Sequence, residues 1–574
     1  MSSPQVVFSP EYTDVFGRLK TTRHQNIYDA DFEYGPQPLR WESFTTGGGT
    51  ITHLPGVGGV RMRLTTASGD ITIRQSRPYQ RYQPGKSMFM ASAVTFGTAL
   101  ANQLNRVGFF DDSNGAFFEQ NGTTTAANPS GMCVVVRSDG GGTGVITELR
   151  TTLDQWNGDG ATRLDLVDWT RIQMLWIEYA WYGAGTVRFG VTINGKQILL
   201  HSYAFGNRSG NTAAWARTGN LPVRYEQRNI GVTAAQNDMI HYGVSVICEG
   251  GADDQRGFTY SYGMALGTPR RTVSAATTRY PVLTIRNRVS GTIEFTQANS
   301  ASTGGSTTTL VVGGASWTTD QWRGRFLYMP SAPMPVITAG TSTAGFVGTI
   351  TFTSAHLLSP GNIINLSGFT PSGWNGTWAV ASVISTTQIT VTLLTNPGTI
   401  SIFGTTTAPI TARITGNTST TLTVQDGVTG LALPAALTSG LTYTIGLLNR
   451  GQILPRRLMI STSAICQVEL IASVPNSPVV VVGSNFQALS SLGCGSSFAE
   501  RDVSGTSMYG GEVVFKFTAP AGGSGLQDID LSNLFPLYNT VRGNLPDFLT
   551  IAVSTQSGTA SDVGVDIICQ EAMS

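Results

Sequence analysis

Residues 174–205 read MLWIEYAWYGAGTVRFGVTINGKQILLHSYAF, and their apolar side chains recur with a period of two. In TVRFGVTI, Val187, Phe189, Val191 and Ile193 fall on one side while Arg188 and Thr192 fall on the other. Successive side chains of a strand point to opposite faces, so the pattern describes a strand with one buried face. Asn194-Gly195 closes the run. A two-residue hairpin turn of type I′ needs positive φ at both central positions, which Asn-Gly tolerates well. No segment carries a helical period of 3.6 over a convincing length, and no heptad run exists, which excludes a coiled-coil stalk. The cores must come from sheets. Successive hairpins with long loops elsewhere predict a jelly-roll sandwich, and 574 residues predict several domains.

Composition narrows the class. Charged residues make up 12% of the chain and the net charge is +1. Binding to nucleic acid through phosphate neutralisation needs a basic surplus that is absent. With 40% hydrophobic residues the chain can fill several cores, so disorder is not expected. No run approaches 18 apolar residues, and the opening MSSPQVVFSPEYTD has neither a cationic nor an apolar leader region, so neither membrane insertion nor secretion is expected. The cysteines Cys133, Cys248, Cys466, Cys494 and Cys569 are widely spaced, without a CxxC pair, and read as buried free thiols. The five histidines give no local metal pair, and HExxH, GxSxG, Walker and GxGxxG signatures are missing. No cofactor is expected.

The chain divides by composition. Residues 1–280 hold most of the aromatics and charges and predict the N-terminal jelly-roll-like sandwich. The run NSASTGGSTTT at 299–309 reads as a linker or domain junction. Between Arg325 and Arg413 lie roughly 87 residues with no Asp, Glu, Lys or Arg, where short threonine-lined runs such as FVGTITFT and TQITVTLL predict a small β module. Charge returns near residue 448, followed by strand patterns such as CQVELIASV and DVGVDIICQE.

Several segments carry a resemblance. DVFGRL at 14–19, YQRYQPGKS at 79–87, RVGFFDDSNGAFFEQNG at 106–122 and LPVRYEQRN at 221–229 stand in the order of the DxFGRLR, YQPGKS, GYFDDxNGxFFE and LPVRYE segments of a family of bacteriophage virion proteins, which the first 220 or so residues resemble. Lys20 replaces the final Arg of the first motif, and Phe109-Phe110 departs from the usual Gly-Tyr-Phe. ASWTTDQWRGRFLYM (315–329) and ITGNTSTTLTV (414–424) look like two halves of one phage-tail-associated β module, and 355–392 resembles a second small module of tail and fibre proteins. PVLTIRNR (281–288) and LLNRGQILPRRLMI (447–460) look like adjacent pieces of one C-terminal domain. The expected organisation is therefore an all-β multidomain chain with nested insertions: a sandwich at 1–280, a C-terminal β-sandwich from 281–296 plus 448–574, an inserted module from 297–335 plus 411–447, and a second inserted module at 336–410.

Each candidate site has a structural alternative. Asp111, Asp112, Asn114 and Glu119 carry oxygens suited to a hard cation, but their spacing is not that of a calcium loop and a polar turn is the preferred reading. Asp154, Asn157 and Asp159 are similar. Trp176, Tyr179, Trp181 and Tyr182 could form a glycan platform or an interface, although Trp176 and Tyr179 lie an odd number of residues apart and should face opposite sides. Glu119, Glu178 and Glu226 are carboxylates from which a glycosidase would need a close pair, with no motif selecting one. Arg74, Arg77, Arg81 and Lys86 make a basic stretch read as a solvated strand edge or subunit interface.

The resemblance implies a non-enzymatic structural component of a phage virion, made in the host bacterial cytoplasm and located in the tail, baseplate or a fibre. Capsid decoration or a head fibre is one alternative, and a host-glycan receptor-binding role is another. Expected partners are other virion proteins, copies of the same chain (a trimer is one form) and a host surface glycan, with no direct nucleic-acid contact.

Overall fold

The computed structural model describes the chain except residues 1–11, 22–23, 140–143, 159–166, 208–212, 252–256, 264–269, 276–278, 299–300, 474–477, 490–496, 523–526, 557 and 573–574. Among the described residues no α-helix occurs, and the helical pieces are three-residue 3-10 turns such as Pro55–Val57. The fold is all-β and multidomain, built of several antiparallel sheets. It separates into two compact units, 1–255 and 256–573.

The first unit is a two-layer sandwich. One layer runs Lys196–Ala204, Thr186–Ile193, Gln173–Tyr179, Met88–Thr95, Asn237–Cys248, Gly59–Leu64 and Thr50–Leu54, with Gln25–Ala30 also paired to Asn237–Cys248. The other runs Thr147–Thr152, Met132–Ser138, Gly115–Asn121, Gln103–Phe110, Val223–Asn229, Ile71–Ser76 and Trp41–Thr46. The alternation read from TVRFGVTI holds, because Val187, Phe189 and Val191 are buried in the core between the layers. Asn194 and Gly195 both take positive φ, +50° and +77°, as a type I′ turn requires. Aromatic rings close the layers together: Phe118 meets Phe189 edge-on at 5.4 Å, and Phe109 meets Tyr179 edge-on at 5.2 Å.

In the second unit, Tyr280–Asn287 lies between Phe548–Thr555 and Ala499–Asp502 in one sheet. The opposing sheet centres on Gln452–Thr462 and Ser561–Ala572. The shared core draws on residues 262–285 and 453–569, two stretches separated by the intervening modules. Those modules have cores of their own: Leu310, Trp322, Leu327, Ile414 and Tyr443 belong to one, and Ile350, Trp374, Val380 and Val391 to the other.

Three boundaries differ from the sequence reading. Phe258–Ser261 and Arg271–Val273 pair with Ser561–Ala572, so residues before 280 already belong to the C-terminal sandwich. Ile293–Ala298 pairs with Thr444–Leu447, which brings the start of the inserted module forward. Part of the presumed linker is structured: Gly304–Gly305 pairs with Thr309–Val311, and Ser302 Oγ donates to the Thr438 carbonyl at 2.6 Å. Thr309–Val311 pairs in turn with residues 421–423, so backbone pairing organises this segment despite its lack of apolar side chains.

Cys133, Cys248, Cys466 and Cys569 are buried free thiols, and Cys494 lies outside the described residues.

Candidate functional site

The outer face of the second layer is ionic. Along each strand, alternate residues turn away from the core: Arg106 and Phe110, Phe117 and Glu119, Arg224 and Glu226. Register then places Arg106 directly between Glu119 and Glu226 on the neighbouring strands. Arg106 Nε donates to Glu119 at 2.8 Å, and its Nη1 donates to Glu226 at 2.8 Å. Arg150 Nε reaches Glu119 at 3.0 Å, Arg224 reaches Glu226 at 3.1 Å, and Arg137 reaches Glu148 at 2.8 Å. The Phe110 and Phe117 rings, 4.5 Å apart, fill the gaps, with the Arg137 guanidinium 4.9 Å from the Phe117 centroid.

The centre of the network is buried, with Glu119 and Glu226 at 0% exposure, while Arg150 and Glu148 at its edge reach solvent. Burial alone would raise both carboxyls. The surrounding guanidiniums, Arg228, Arg106 and Arg224 for Glu226 and Arg106 and Arg150 for Glu119, outweigh it and hold both below the usual carboxylate range. Burial and the Glu119 charge push the Cys133 thiol far up, so it stays protonated and inert. A glycosidase acid must hold a proton near neutral pH. Glu119 and Glu226, separated by Arg106 and held ionised, lack that property.

The calcium candidates are dispersed among other tasks. Asp111 Oδ1 accepts the Ser113 and Asn114 amides, each at 2.8 Å, forming a polar turn. Asp112 pairs with Arg224 at 2.7 Å, Asn114 Oδ1 accepts the Arg217 amide at 2.9 Å, and Glu119 joins the ionic face. Asp154 is exposed and Asn157 bonds both ways with the Ser202 backbone, while Asp159 lies outside the described residues. Among the described residues no group of three or more His, Cys, Asp or Glu side chains is placed to hold a metal.

The aromatic cluster splits as its odd spacing predicts. Tyr179 lies in the core and donates to the Gly219 carbonyl at 2.6 Å. Trp176 turns to the outer face of its layer and stacks on Phe89 at 5.9 Å. Trp181 packs against the core and donates to the Ala216 carbonyl at 2.7 Å. Tyr182 alone of the four is solvent-exposed.

The basic stretch is not a solvated edge. In Ile71–Ser76 the alternation turns Arg74 inward, where it is 1% exposed, 5.4 Å from the Trp41 ring, and bonded to Ser43 Oγ and the Pro36 carbonyl. Burial lowers its pKa to about 10. Arg77 is buried as well, Arg81 is half-buried, and Lys86 donates to the Gly251 carbonyl.

Glu178 meets different partners. It lies on the outer face of the first layer, where it lines a cleft of about 350 Å³ together with Tyr12, Lys20, His24, Phe89, Gln197 and Glu249. The N-terminal DVFGRL segment is flanked by Tyr12 and Lys20 of the lining. Asp14 accepts the Phe16 and Arg18 amides at 3.0 and 2.9 Å, and Gly17 supplies the left-handed turn at φ +75°. Arg18 anchors this loop to the Gly85 carbonyl at 2.9 Å, and Arg188 Nη1 holds the Thr13 carbonyl at 3.1 Å. Lys20 then stands 3.4 Å from Glu178 and 5.5 Å from the Phe89 ring centroid. Ser87 Oγ donates to Glu178 at 2.7 Å, and His24 contacts Glu249 at 2.7 Å. Burial raises the Glu178 carboxyl, against the opposing pull of Lys20, Ser87 and Arg188. Sequence reasoning found Glu178 but missed Lys20, His24, Phe89, Gln197 and Glu249, which come from four separate parts of the chain with no local motif.

No family model and no curated protein matches the chain. Solved structures do. A glycosyl hydrolase family 16 protein from Mycobacterium smegmatis aligns at 12% identity over 39% of this chain and 100% of its own, with a TM-score of 0.27. A beta-1,3-glucanase from Mycobacterium marinum aligns at 12% identity over 39% and 98%, with a TM-score of 0.23. The I-B4 lectin from Griffonia simplicifolia aligns at 10% identity over 38% and 99%, with a TM-score of 0.24. Glycosyl hydrolases among the similar structures overturn the expectation that this chain is not an enzyme. At these scores they assign it no activity.

Proposed function

We propose that the chain is a structural component of a bacteriophage virion, associated with the tail, baseplate or a fibre, that assembles through its β-domain surfaces with copies of itself and with neighbouring virion proteins. The observation that carries this reading is how the segments resembling virion proteins interlock. Arg18 of DVFGRL bonds to Gly85 of YQPGKS, and Arg106 and Asp112 of RVGFFDDSNGAFFE pair with Glu226 and Arg224 of LPVRYE. That the four segments meet in one unit of this chain supports the reading. The second inserted module adds an exposed neutral surface, with Leu394 and Ile402 both 58% exposed and Phe403 43%. Such a surface can be buried against a partner without desolvating ions.

The test is to purify particles of the phage that encodes the chain, identify the protein by mass spectrometry and locate it by immunogold electron microscopy. Labelling of the tail or baseplate is expected. Labelling of the head would move the protein to the capsid-decoration alternative, and its absence from intact particles would end the virion reading.

A further inference from the structure

We propose that the cleft on the outer face of the first layer is a binding site for a neutral saccharide, with a sugar ring seated against Phe89 and its hydroxyls shared among Glu249, Gln197, Lys20 and His24. This assignment is independent of the virion reading.

The floor is apolar and fixed. Phe89 pairs in register with Ile247, which also lines the cleft, and the Trp176 ring backs it at an interplanar angle of 22°. Gly190 makes room for that tryptophan, since a Cβ there would lie 2.0 Å from the indole. A flat ring held in place from behind suits the C–H face of a pyranose, which presents polarised hydrogens to the electron-rich face of an aromatic ring. Fixing the floor in advance also removes part of the ordering cost of binding.

The walls are polar and balanced in charge. Lys20 and Arg188 both face Glu178, and His24 faces Glu249. The two carboxylates are matched by two permanent cations, which leaves no net charge to attract an acidic or a cationic ligand. What remains is a mixture of donors (Lys20, His24, the Gln197 amide, the Tyr12 hydroxyl) and acceptors (Glu249, the Gln197 carbonyl) around an apolar floor. Vicinal hydroxyls both donate and accept, so such a mixture suits a polyol. Glu178 is 2% exposed and acts as a positioning residue, holding the Lys20 ammonium 5.5 Å from the Phe89 centroid, at the rim of the Phe89 and Ile247 floor where it can bond the hydroxyls of a seated ring. The volume is near the lower end of the ~300–1,000 Å³ typical of ligand sites, which suits a mono- or disaccharide unit and not a long chain.

The test is ligand-observed saturation-transfer NMR on the full chain with maltose, cellobiose, lactose and mannobiose as neutral probes, sialyllactose as the acidic probe and a glucosamine disaccharide as the cationic one. At least one neutral disaccharide should bind at millimolar or lower concentration. Glu249→Gln and Gln197→Ala should each weaken it about tenfold or more, and Phe89→Ala should abolish it. Tyr182→Ala, at the exposed aromatic outside the cleft, should leave it unchanged. Circular dichroism and thermal melts of each variant separate lost binding from lost folding. The assignment is overturned by failure of every neutral probe to bind, by binding confined to the acidic or cationic probe, or by neutral binding that survives both polar substitutions.

Discussion

Glu226 sits among Arg106, Arg224 and Arg228, and its charge matters more for specification than for net stability. Replacing a buried ion network by well-packed apolar groups is often neutral, whereas removing one partner strands the others without compensation. The network also fixes register, because a one-residue slip would turn Arg106 to the opposite face, away from both carboxylates. Glu226→Gln keeps the shape and removes the charge, and is expected to cost about 3–5 kcal/mol in chemical denaturation. The pH dependence follows from the same charges. Because the folded carboxyl lies below its ordinary value of 4.5, its contribution is full above that value and is lost as pH falls through the folded one. Wild type should therefore lose more stability than Glu226→Gln on acidification from about pH 5. Equal slopes for the two proteins in thermal melts across that range would contradict the ionised, arginine-held Glu226. A trace of this face is present in the sequence, since Arg224, Glu226 and Arg228 recur at every second position of one strand. Their partner Arg106 is not legible, because it lies 120 positions away and is joined to Glu226 only by strand pairing. Arg74 is the opposite case: the basic composition of its segment suggested a surface, and the strand's alternation sent it into the core.

At the level of the strand and hairpin, local chemistry was a reliable guide wherever the deciding residues were neighbours in sequence. Asn194-Gly195 needs only its own backbone preferences to make its turn, and the odd spacing of Trp176 and Tyr179 needs only the pleat to separate them. The sequence was silent where an element depends on a distant partner. Phe258–Ser261 is short and exposed on most of its residues, and becomes a strand by pairing with residues 568–571. Nothing within four residues announces that. The same limit applies to the cleft, whose Lys20, Phe89, Glu178, Gln197 and Glu249 meet only after the layer has formed. Gly190 lies between two strands, with Trp176 opposite it on one side. A Cβ at this position would lie 2.0 Å from the indole and 2.4 Å from the Ile198 carbonyl oxygen, so Gly190→Ala must displace either a fixed ring or backbone. It should cost about 1–3 kcal/mol by chemical denaturation. A neutral result would mean that the Trp176–Phe89 stack is looser than the geometry states.

For the whole molecule, the governing feature is that the chain leaves one core, completes another and returns. Strand Phe326–Pro333 ends where it pairs with the start of Thr405–Asn417, with Ala332 opposite Ala408 and Pro333 opposite Thr407. Everything between emerges from and returns to the same point, and it carries its own core around Trp374, Val380 and Val391. A closed loop of this kind costs entropy that rises only slowly with its length, so a full module can hang from a hairpin end. Its lack of formal charge is then consistent with a self-contained body whose strands are stabilised by threonine-lined pairing and one apolar interior. Contacts with the rest of the unit include sheet pairing as well as side chains: Ile363–Ser367 pairs with residues 405–407 of Thr405–Asn417, Arg542 donates to the Leu357 carbonyl while pairing with Asp426, and Tyr509 bonds to the Thr377 carbonyl and packs near Trp378. Excising residues 335–404 and joining Met334 to Thr405 through Asn-Gly should therefore leave a soluble protein that melts cooperatively, because the core of Leu310, Trp322, Leu327, Ile414 and Tyr443 uses no residue of the excised span. Its near-ultraviolet circular dichroism should lose the signals of Trp374 and Trp378 and keep those of the remaining tryptophans. A variant that aggregates or melts without cooperativity would show that the outer module helps to hold the inner one in place, so that the nesting is one interdependent structure and not a module carried on another.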